Sequence, residues 1–250
     1  MSPSDRRLTV GVLALQGGVA EHVEMLERLG ARITIVRRER DLAGADGLRV
    51  DALVLPGGES STQDRLLRLF DMAAGLRGVI EQGVPTLGTC AGLVLLAREV
   101  HDPAPGQGSL AVLDVAVRRN ALGSQVESRE AEIAVDAGDV VGQREGRVRA
   151  ALIRAPEVVS VGDGARAICR IDGRVFGATS AVESEASTSE PDAVLAGSDR
   201  PKNDRPMRLG SVTGIAFHPE LTVDPAFHRA LLAQAARPTG RPADAERGKF

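Results

Sequence analysis

The sequence predicts an α/β fold, with a mostly parallel central sheet flanked by helices in a three-layer sandwich and with additional antiparallel strands. Two observations support this prediction. Up to residue 96, short runs of β-forming residues alternate with helical patterns, which is the order of β-α-β units. Between residues 110 and 179, β-rich segments follow one another without helices, as in antiparallel sheets. The 250 residues are enough for one large domain, which we expect to span residues 1–236.

The first β-α unit begins the predicted sheet. Residues 8–15 form a continuous β-rich run, typical of a strand buried on both faces of a parallel sheet. A Gln-Gly-Gly turn follows at 16–18, and residues 19–30 have apolar side chains at helical spacing with a glycine as the stop. The same signals then predict strands at 33–36 and 51–55 and helical segments at 66–70 and 72–80.

The second half of the chain has a different pattern. Asp172 and Gly173 form a strong hairpin-turn signal between two of its β-rich segments. Residues 183–208 are rich in Ser, Glu, Asp and Pro and poor in large apolar residues, so we expect a mobile surface insertion there. Residues 237–250 are predicted to be a flexible tail. The remaining predicted elements are strands at 112–117, 131–135, 148–153, 165–171, 174–178 and 212–217, and a closing helix at 225–236.

Composition excludes several classes of protein. The chain has five Phe and neither Trp nor Tyr, which argues against modules that stack nucleic-acid bases. A net charge of −3 with interspersed signs gives no basic surface for nucleic acid or membrane. No apolar run is long enough for a membrane span, and the N-terminus lacks the apolar core of a signal peptide. Two cysteines form no disulfide framework, so we expect a cytoplasmic protein.

Cys90 occupies the most informative position in the sequence. It lies between Gly88 and Gly92 after a short apolar strand and before an apolar helix. This G-x-C-x-G arrangement is the thiol counterpart of the nucleophile elbow, a strained turn on which neighbours without a Cβ avoid clashes. The N–H groups at the start of the following helix would favour the thiolate. A buried cysteine that packs as a small apolar side chain is the alternative, and the motif alone leaves both open.

A histidine and a carboxylate follow the last predicted strand. Because Pro219 disfavours helix at the residue before it, we expect His218 to be extended. Residues two apart in an extended chain point the same way, so Glu220 could hold the imidazole as a general base requires. A simple loop histidine is the alternative reading. Together with Cys90, these residues match a nucleophile, base and orienting carboxylate.

The other histidines and the second cysteine are weaker candidates. We expect His22 and His228 on helices, and His101 at a helix end, to be solvated. Cys169 falls inside a predicted strand and is expected in the core. No Cys/His cluster has the spacing of metal ligands, so no metal site is predicted.

A Pro-Gly-Gly-Glu-Ser segment follows the strand at 51–55. Its glycines could bring backbone close to a substrate, with an N–H of Gly57 or Gly58 and the N–H of Ala91 forming an oxyanion hole. The alternative is a glycine turn followed by a helix that is N-capped by one of the hydroxyl residues at 60–62. The segment lacks the spacing of a phosphate-binding P-loop, and residues 11–18 do not form a dinucleotide fingerprint. We therefore expect no cofactor.

A series of motifs between residues 8 and 223 resembles one known family. The motifs are L-A-L-Q-G-G, L-P-G-G-E-S-S-T, G-T-C-A-G-L, R-N-A-L-G-S-Q, I-R-A-P and F-H-P-E-L-T. They are similar to those of the glutaminase subunit of pyridoxal 5′-phosphate synthase, which belongs to the triad (class I) glutamine amidotransferases. The resemblance implies a flavodoxin-like α/β fold. It also implies hydrolysis of L-glutamine to glutamate and ammonia, which passes to a (β/α)₈-barrel synthase subunit, in a large hetero-oligomer, for vitamin B6 biosynthesis.

The resemblance also implies roles for individual residues. Cys90 would be the nucleophile, and His218 and Glu220 would be its proton relay. The loop that carries Gln16 would lie beside the oxyanion hole and near the synthase subunit. The residues implied around bound glutamine are Gly58, Glu59, Ser60, Arg119, Ile153 and Arg154, whose charged groups suit an ammonium and a carboxylate.

Two features depart from the family pattern. Leu122 stands where an aromatic residue is common, and the segment 183–208 is longer than the link expected there.

Three other functions stay open at this point. These are a glutaminase subunit of another synthase, such as imidazole glycerol phosphate synthase, a cysteine peptidase, and a non-catalytic binding partner.

Overall fold

The structure, a computed structural model, describes residues 6–121, 129–136, 147–181 and 209–237. The predictions for Leu122, for the insertion at 183–208 and for the tail beyond Arg237 lie outside the described residues. No helix in the described part of the chain is long and apolar enough to cross a membrane.

The predicted strands and helices all occur, in the predicted order, together with strands that were not predicted. The strands are β1 (Thr9–Leu13), β2 (Arg32–Val36), β3 (Ala43–Gly44), β4 (Gly47–Leu48), β5 (Ala52–Leu55), β6 (Thr86–Thr89), β7 (Ala97–His101), β8 (Leu113–Arg118), β9 (Arg129–Ala134), β10 (Arg147–Leu152), β11 (Glu157–Val161), β12 (Ala165–Ile171), β13 (Arg174–Ser180) and β14 (Val212–Ile215). The helices are α1 (Val19–Arg28), α2 (Ser60–Leu69), α3 (Ala73–Glu81), α4 (Ala91–Leu96) and α5 (Ala226–Ala235).

The main sheet has a parallel half and an antiparallel half. Its strands lie in the order β2-β1-β5-β6-β14-β13-β11-β8-β7, with β12 on β13. The first five of these strands pair in parallel. Strands β14, β13, β11 and β8 then pair antiparallel in turn, and the edge strand β7 pairs with β8 in parallel. The predicted α/β fold, with a mostly parallel sheet and additional antiparallel strands, is confirmed.

The topology determines where the predicted site residues lie. Strands β1, β5, β6 and β14 are consecutive neighbours and run in the same direction. The segments that begin at Gln16, Pro56, Cys90 and His218 follow the carboxyl ends of these strands. Parallel strands bring such segments to one edge of the sheet. Four segments that are distant in sequence therefore meet at this edge.

Three helices pack on the strands of the parallel half of the sheet. Helix α1 packs on β1 and β2, α5 packs on β5 and β6, and α4 packs on β6 and β14. All six residues of α4 are buried. Its wholly apolar sequence fits a short helix enclosed by the core on every side.

The Asp172-Gly173 hairpin is confirmed. Asp172 and Gly173 have φ values of 49° and 79°, and Ile171 pairs with Arg174 across the turn between β12 and β13. Asp and Gly tolerate this left-handed conformation, which two-residue hairpin turns require.

Two strands of the main sheet, β7 and β11, were not predicted. The apolar pattern through residue 96 was expected to continue as a helix as far as His101, but α4 ends at Leu96 and β7 begins at once. The backbone N–H of Leu110 donates to the Leu95 carbonyl at 2.7 Å, and that of Val112 donates to Leu96 at 3.0 Å. These long-range hydrogen bonds outweigh the local preference for helix.

Candidate active site

The turn between β6 and α4 has the geometry of a nucleophile elbow. Cys90 has a φ of 48° and a ψ of −102°, in a region that non-glycine residues rarely adopt. A Cβ on Gly92 would lie 2.1 Å from the Leu55 carbonyl oxygen, and one on Gly88 would lie 2.7 Å from the Gly92 backbone. The backbone N–H of Cys90 donates to Ile215 at 2.8 Å. Both glycines are therefore required by close packing beneath the cysteine.

His218 and Glu220 are joined by a short hydrogen bond. His218 Nδ1 lies 2.8 Å from Glu220 Oε1, and the Glu220 side chain is only 1% exposed. His218 has a φ of −118° and a ψ of 85°, but Glu220 lies in a 3₁₀ turn, Pro219–Thr222. The expectation that both residues are extended is therefore wrong for Glu220. The tight turn after Pro219 brings the carboxylate back under the imidazole.

The environment of His218 favours its charged form. Burial lowers the pKa of the imidazole, but hydrogen bonds with the Cys90 and Glu220 side chains, and their negative charges, outweigh it and raise the pKa to about 10. The ring therefore carries a proton at neutral pH next to the sulfur. This arrangement suits a thiolate–imidazolium pair.

Gln16 and Gly18 hold the glycine segment in place. Gln16 Oε1 accepts from the Glu59 N–H at 2.7 Å, and the Gly18 N–H donates to the Gly57 carbonyl at 3.0 Å. Gln63, which the sequence analysis did not single out, donates from Nε2 to the Gln16 carbonyl at 2.9 Å and to the Pro56 carbonyl at 3.0 Å. The segments after β1 and β5 therefore form one hydrogen-bonded unit.

Glu59 both caps α2 and pairs with Arg119. Its Oε2 accepts from the Thr62 N–H at 2.9 Å, so Glu59 is the N-cap and the alternative of a hydroxyl N-cap at 60–62 is wrong. Its Oε1 lies 2.8 Å from Arg119 Nη2. Burial raises the pKa of Glu59, but Ser61, Thr62 and Arg119 together bring it below its usual range. The carboxylate is thus held ionised at the edge of the site.

A cavity of about 350 Å³ connects these features. Cys90 Sγ lies on it, 4.0 Å from the Ile153 carbonyl oxygen. The structure brings all the predicted site residues to its wall: Gln16, Gly57, Gly58, Glu59, Ser60, Cys90, Ala91, Arg119, Ile153, Arg154, His218 and Glu220. Glu21, Asn120 and Leu221 also line it and were not predicted. Asn120 and Leu221 are sequence neighbours of the predicted Arg119 and Glu220, whereas Glu21 is revealed only by the fold, which places the start of α1 beside the cavity.

The expectation that His22 and His228 are solvated is wrong. Both side chains are fully buried, and His22 Nδ1 lies 2.8 Å from His228 Nε2. His101 is half-buried at the end of β7 rather than at a helix end. The sequence indicated that His22 and His228 lie on helices but not which helix faces they occupy, and in the structure these faces of α1 and α5 contact each other.

Cys169 lies in the core, as predicted. It is 1% exposed, and burial raises the pKa of its thiol far above the usual range. Within the described residues, no group of three or more His, Cys, Asp or Glu side chains could hold a metal ion.

Comparison with known proteins identifies a family to which the chain is similar over most of its length. The family model of the SNO glutamine amidotransferase family matches residues 12–199. The chain is 42% identical to "Pyridoxal 5'-phosphate synthase subunit PdxT" of Cutibacterium acnes, over 91% of this chain and 96% of the relative. It is 41% identical to the protein of the same name from Acidothermus cellulolyticus, over 94% and 98%.

Solved structures agree with the fold. The crystal structure of a glutamine amidotransferase aligns over 91% of this chain and 99% of the solved chain, with 34% sequence identity and a TM-score of 0.68. The structure of PurLQS from Thermotoga maritima, at 17% identity and a TM-score of 0.57, shares the fold alone. With its elbow cysteine, hydrogen-bonded His218–Glu220 pair and matching family model, the chain belongs to the SNO glutamine amidotransferase family.

Proposed function

We propose that this chain is the glutaminase subunit of a pyridoxal 5′-phosphate synthase. It would hydrolyse L-glutamine to L-glutamate and ammonia and pass the ammonia to a separate synthase subunit. The observation that carries the proposal is the Cys90–His218–Glu220 set, whose three residues line one cavity and whose His218 and Glu220 side chains are hydrogen-bonded. The names of the relatives at 42% and 41% identity support the assignment to this synthase.

The first half of the reaction forms a thioester. The Cys90 thiolate attacks the side-chain amide carbon of glutamine and gives a tetrahedral intermediate with a negative oxygen. His218 then donates its proton to the amide nitrogen as the C–N bond breaks, and ammonia leaves. Glu220, bonded to Nδ1 at 2.8 Å, keeps Nε2 directed to the reacting atoms.

The second half releases glutamate. His218, now neutral, takes a proton from a water molecule that attacks the thioester carbonyl, and the C–S bond breaks to restore the thiolate. Backbone N–H groups of Ala91 and of the Gly57-Gly58 segment are suited to stabilise the oxyanion in both halves. One such donor contributes a factor of about 10²–10³ to kcat.

The charged groups at the edge of the cavity suit the amino-acid end of glutamine. Glu59 offers a carboxylate, and Arg119 and Arg154 offer guanidinium groups. A carboxylate attracts the ammonium of a zwitterion, and a guanidinium binds its carboxylate. We further propose that the partner is a (β/α)₈-barrel subunit and that the two chains form a large hetero-oligomer.

Labelling with a glutamine analogue that carries a diazoketone group tests the nucleophile. The reagent should modify Cys90 and spare Cys169, which is buried in the core. Cys90→Ala should abolish glutamine hydrolysis and leave partner binding intact, because a methyl group replaces the thiol with little change in volume. Modification of Cys169 alone would contradict the assignment. Co-purification and identification of the partner would then distinguish this synthase from others.

A further inference from the structure

A buried histidine pair lies behind Glu220, and the reaction described above does not use it. His22 belongs to α1 and His228 to α5, and His22 Nδ1 lies 2.8 Å from His228 Nε2. His22 Nε2 lies 3.4 Å from Glu220 Oε1 and 3.1 Å from Thr89 Oγ1. A continuous line of contacts therefore runs from His228 through His22 to the carboxylate that holds His218.

Both histidines of this pair are neutral. Burial lowers the pKa of His22 well below its usual range, and electrostatic repulsion from His228 and His218 lowers it further. Burial lowers the pKa of His228 to about 4. A neutral imidazole has one N–H and one lone pair, so each ring donates from a single nitrogen.

The contacts discriminate between the two possible arrangements of protons. In the first, His228 donates from Nε2 to His22 Nδ1, and His22 shares its single Nε2–H between Thr89 Oγ1 at 3.1 Å and the more distant Glu220 Oε1 at 3.4 Å. In the second, His22 donates to His228 and turns an Nε2 lone pair toward the carboxylate, which repels it. His228 Nδ1 has no partner among the described residues, so the second arrangement also buries an unpaired N–H. Orphaned buried N–H groups are rarer than unpaired acceptors, which favours the first arrangement.

We propose that His22 is a positioning residue for glutamine hydrolysis: its Nε2–H, fixed in that tautomer by His228, donates to Glu220 Oε1 and holds the carboxylate on His218. The inference rests on the proposed function. His22 does not line the cavity that holds Cys90, so it acts only through Glu220.

The burial of Glu220 explains why a second donor matters. Within the described residues Glu220 Oε2 has no hydrogen-bond partner, so both of its contacts fall on Oε1. The titratable groups that face the carboxylate are His218 from its own segment and His22 from α1, and His22 in turn faces His228 from α5. Without the His22 donor, the carboxylate keeps one hydrogen bond and its charge is less compensated. It would then turn more freely and hold the His218 proton more strongly.

His228→Leu tests the inference without altering a residue that contacts Glu220. We measure glutamate release by the complex with the synthase subunit, as a function of glutamine concentration and pH. We expect kcat to fall about tenfold, as for loss of one hydrogen bond to a charged group. KM should stay the same, and the alkaline limb of the pH profile should move to higher pH. His228→Gln, whose side-chain amide N–H can donate to His22 Nδ1, should restore both. The inference would be overturned if the alkaline limb of the pH profile does not move and the activity falls only in proportion to the fraction of folded protein.

The tautomer itself can be measured without turnover. The chain has four histidines, so ¹⁵N-labelled imidazole signals can be assigned by single substitutions. We expect neutral His22 with its proton on Nε2 in the unaltered chain, and a loss of this preference in His228→Leu. A proton on Nδ1 of His22 in the unaltered chain would overturn the inference. An unaltered chain that releases no glutamate with its synthase would instead contradict the proposed function.

Discussion

The imidazole of His218 lies directly against the α-carbon of Gly57. A Cβ built on Gly57 would be 2.2 Å from His218 Cε1 and 2.9 Å from Nδ1. Real Cβ atoms do not approach other atoms so closely. The glycine therefore leaves space for the ring that Glu220 orients, in addition to any contact of its own backbone with substrate.

Gly57→Ala should inactivate the enzyme by displacing His218. A shift of about 1 Å in a catalytic group can cost about 10² in rate, so we expect at least that loss in kcat of glutamate release. Gly78→Ala is the matched control because nothing lies within 4 Å of its added Cβ, and Ala stabilises helix α3 relative to Gly. Full activity in Gly57→Ala would show that the ring can move without loss of function.

The His228 imidazole should make the protein sensitive to acid. Its pKa is about 4 in the folded chain against 6.5 for the free group. The unfolded chain therefore binds a proton first as pH falls, and stability present above pH 6.5 is lost as pH falls toward 4. A shift of this size corresponds to about 3 kcal/mol of unfolding free energy.

Urea unfolding of the unaltered chain and of His228→Gln, followed between pH 7 and pH 4, measures this loss. The substitution removes the titrating group, so the slope of unfolding free energy against pH should become shallower. His101→Gln serves as the control, since that side chain is 38% exposed. Equal slopes for the unaltered chain and His228→Gln would contradict the prediction.

The sequence could predict the elbow, the parallel strands and the His-Pro-Glu segment because each depends on local pattern. Cys90 between two glycines and Asp172-Gly173 between two strands are examples. Burial of His22 could not be predicted in this way. It results from the packing of α1 against α5, whose contacting residues are 206 positions apart in sequence. The same limit applies to β7, whose strand conformation depends on pairing with β8 and on no local signal.

Arg119→Gln should weaken glutamine binding. The Arg119 side chain is 15% exposed, pairs with Glu59 and lines the cavity. Loss of a charge-assisted hydrogen bond costs about 1.5–3 kcal/mol, so KM should rise about 10- to 100-fold. Arg118→Gln is the control, because Arg118 is 47% exposed and pairs with Glu157 instead. A similar rise in KM in both variants would argue against a substrate contact for Arg119.

The chain alone should be a poor glutaminase that its synthase partner activates. Ammonia released without a docked synthase is lost to solvent, so hydrolysis that depends on assembly is chemically sensible. The Gly57 carbonyl is bonded to the Gly18 N–H, and a Cβ on Gly17 would lie 1.9 Å from that oxygen. The loop at 16–18 therefore determines how the Gly57-Gly58 peptide is oriented.

Contact between the partner and the loop at 16–18 could rotate this peptide so that its N–H points at the oxyanion. One such donor changes kcat by a factor of about 10²–10³. Glutamate release at saturating glutamine, with and without the synthase subunit, measures the activation, and equal kcat values would contradict the idea. Gln16→Ala removes the acceptor for the Glu59 N–H, so it should reduce activation more than it reduces the free energy of unfolding. Gln82→Ala, which removes only an exposed contact at the end of α3, should leave activation unchanged.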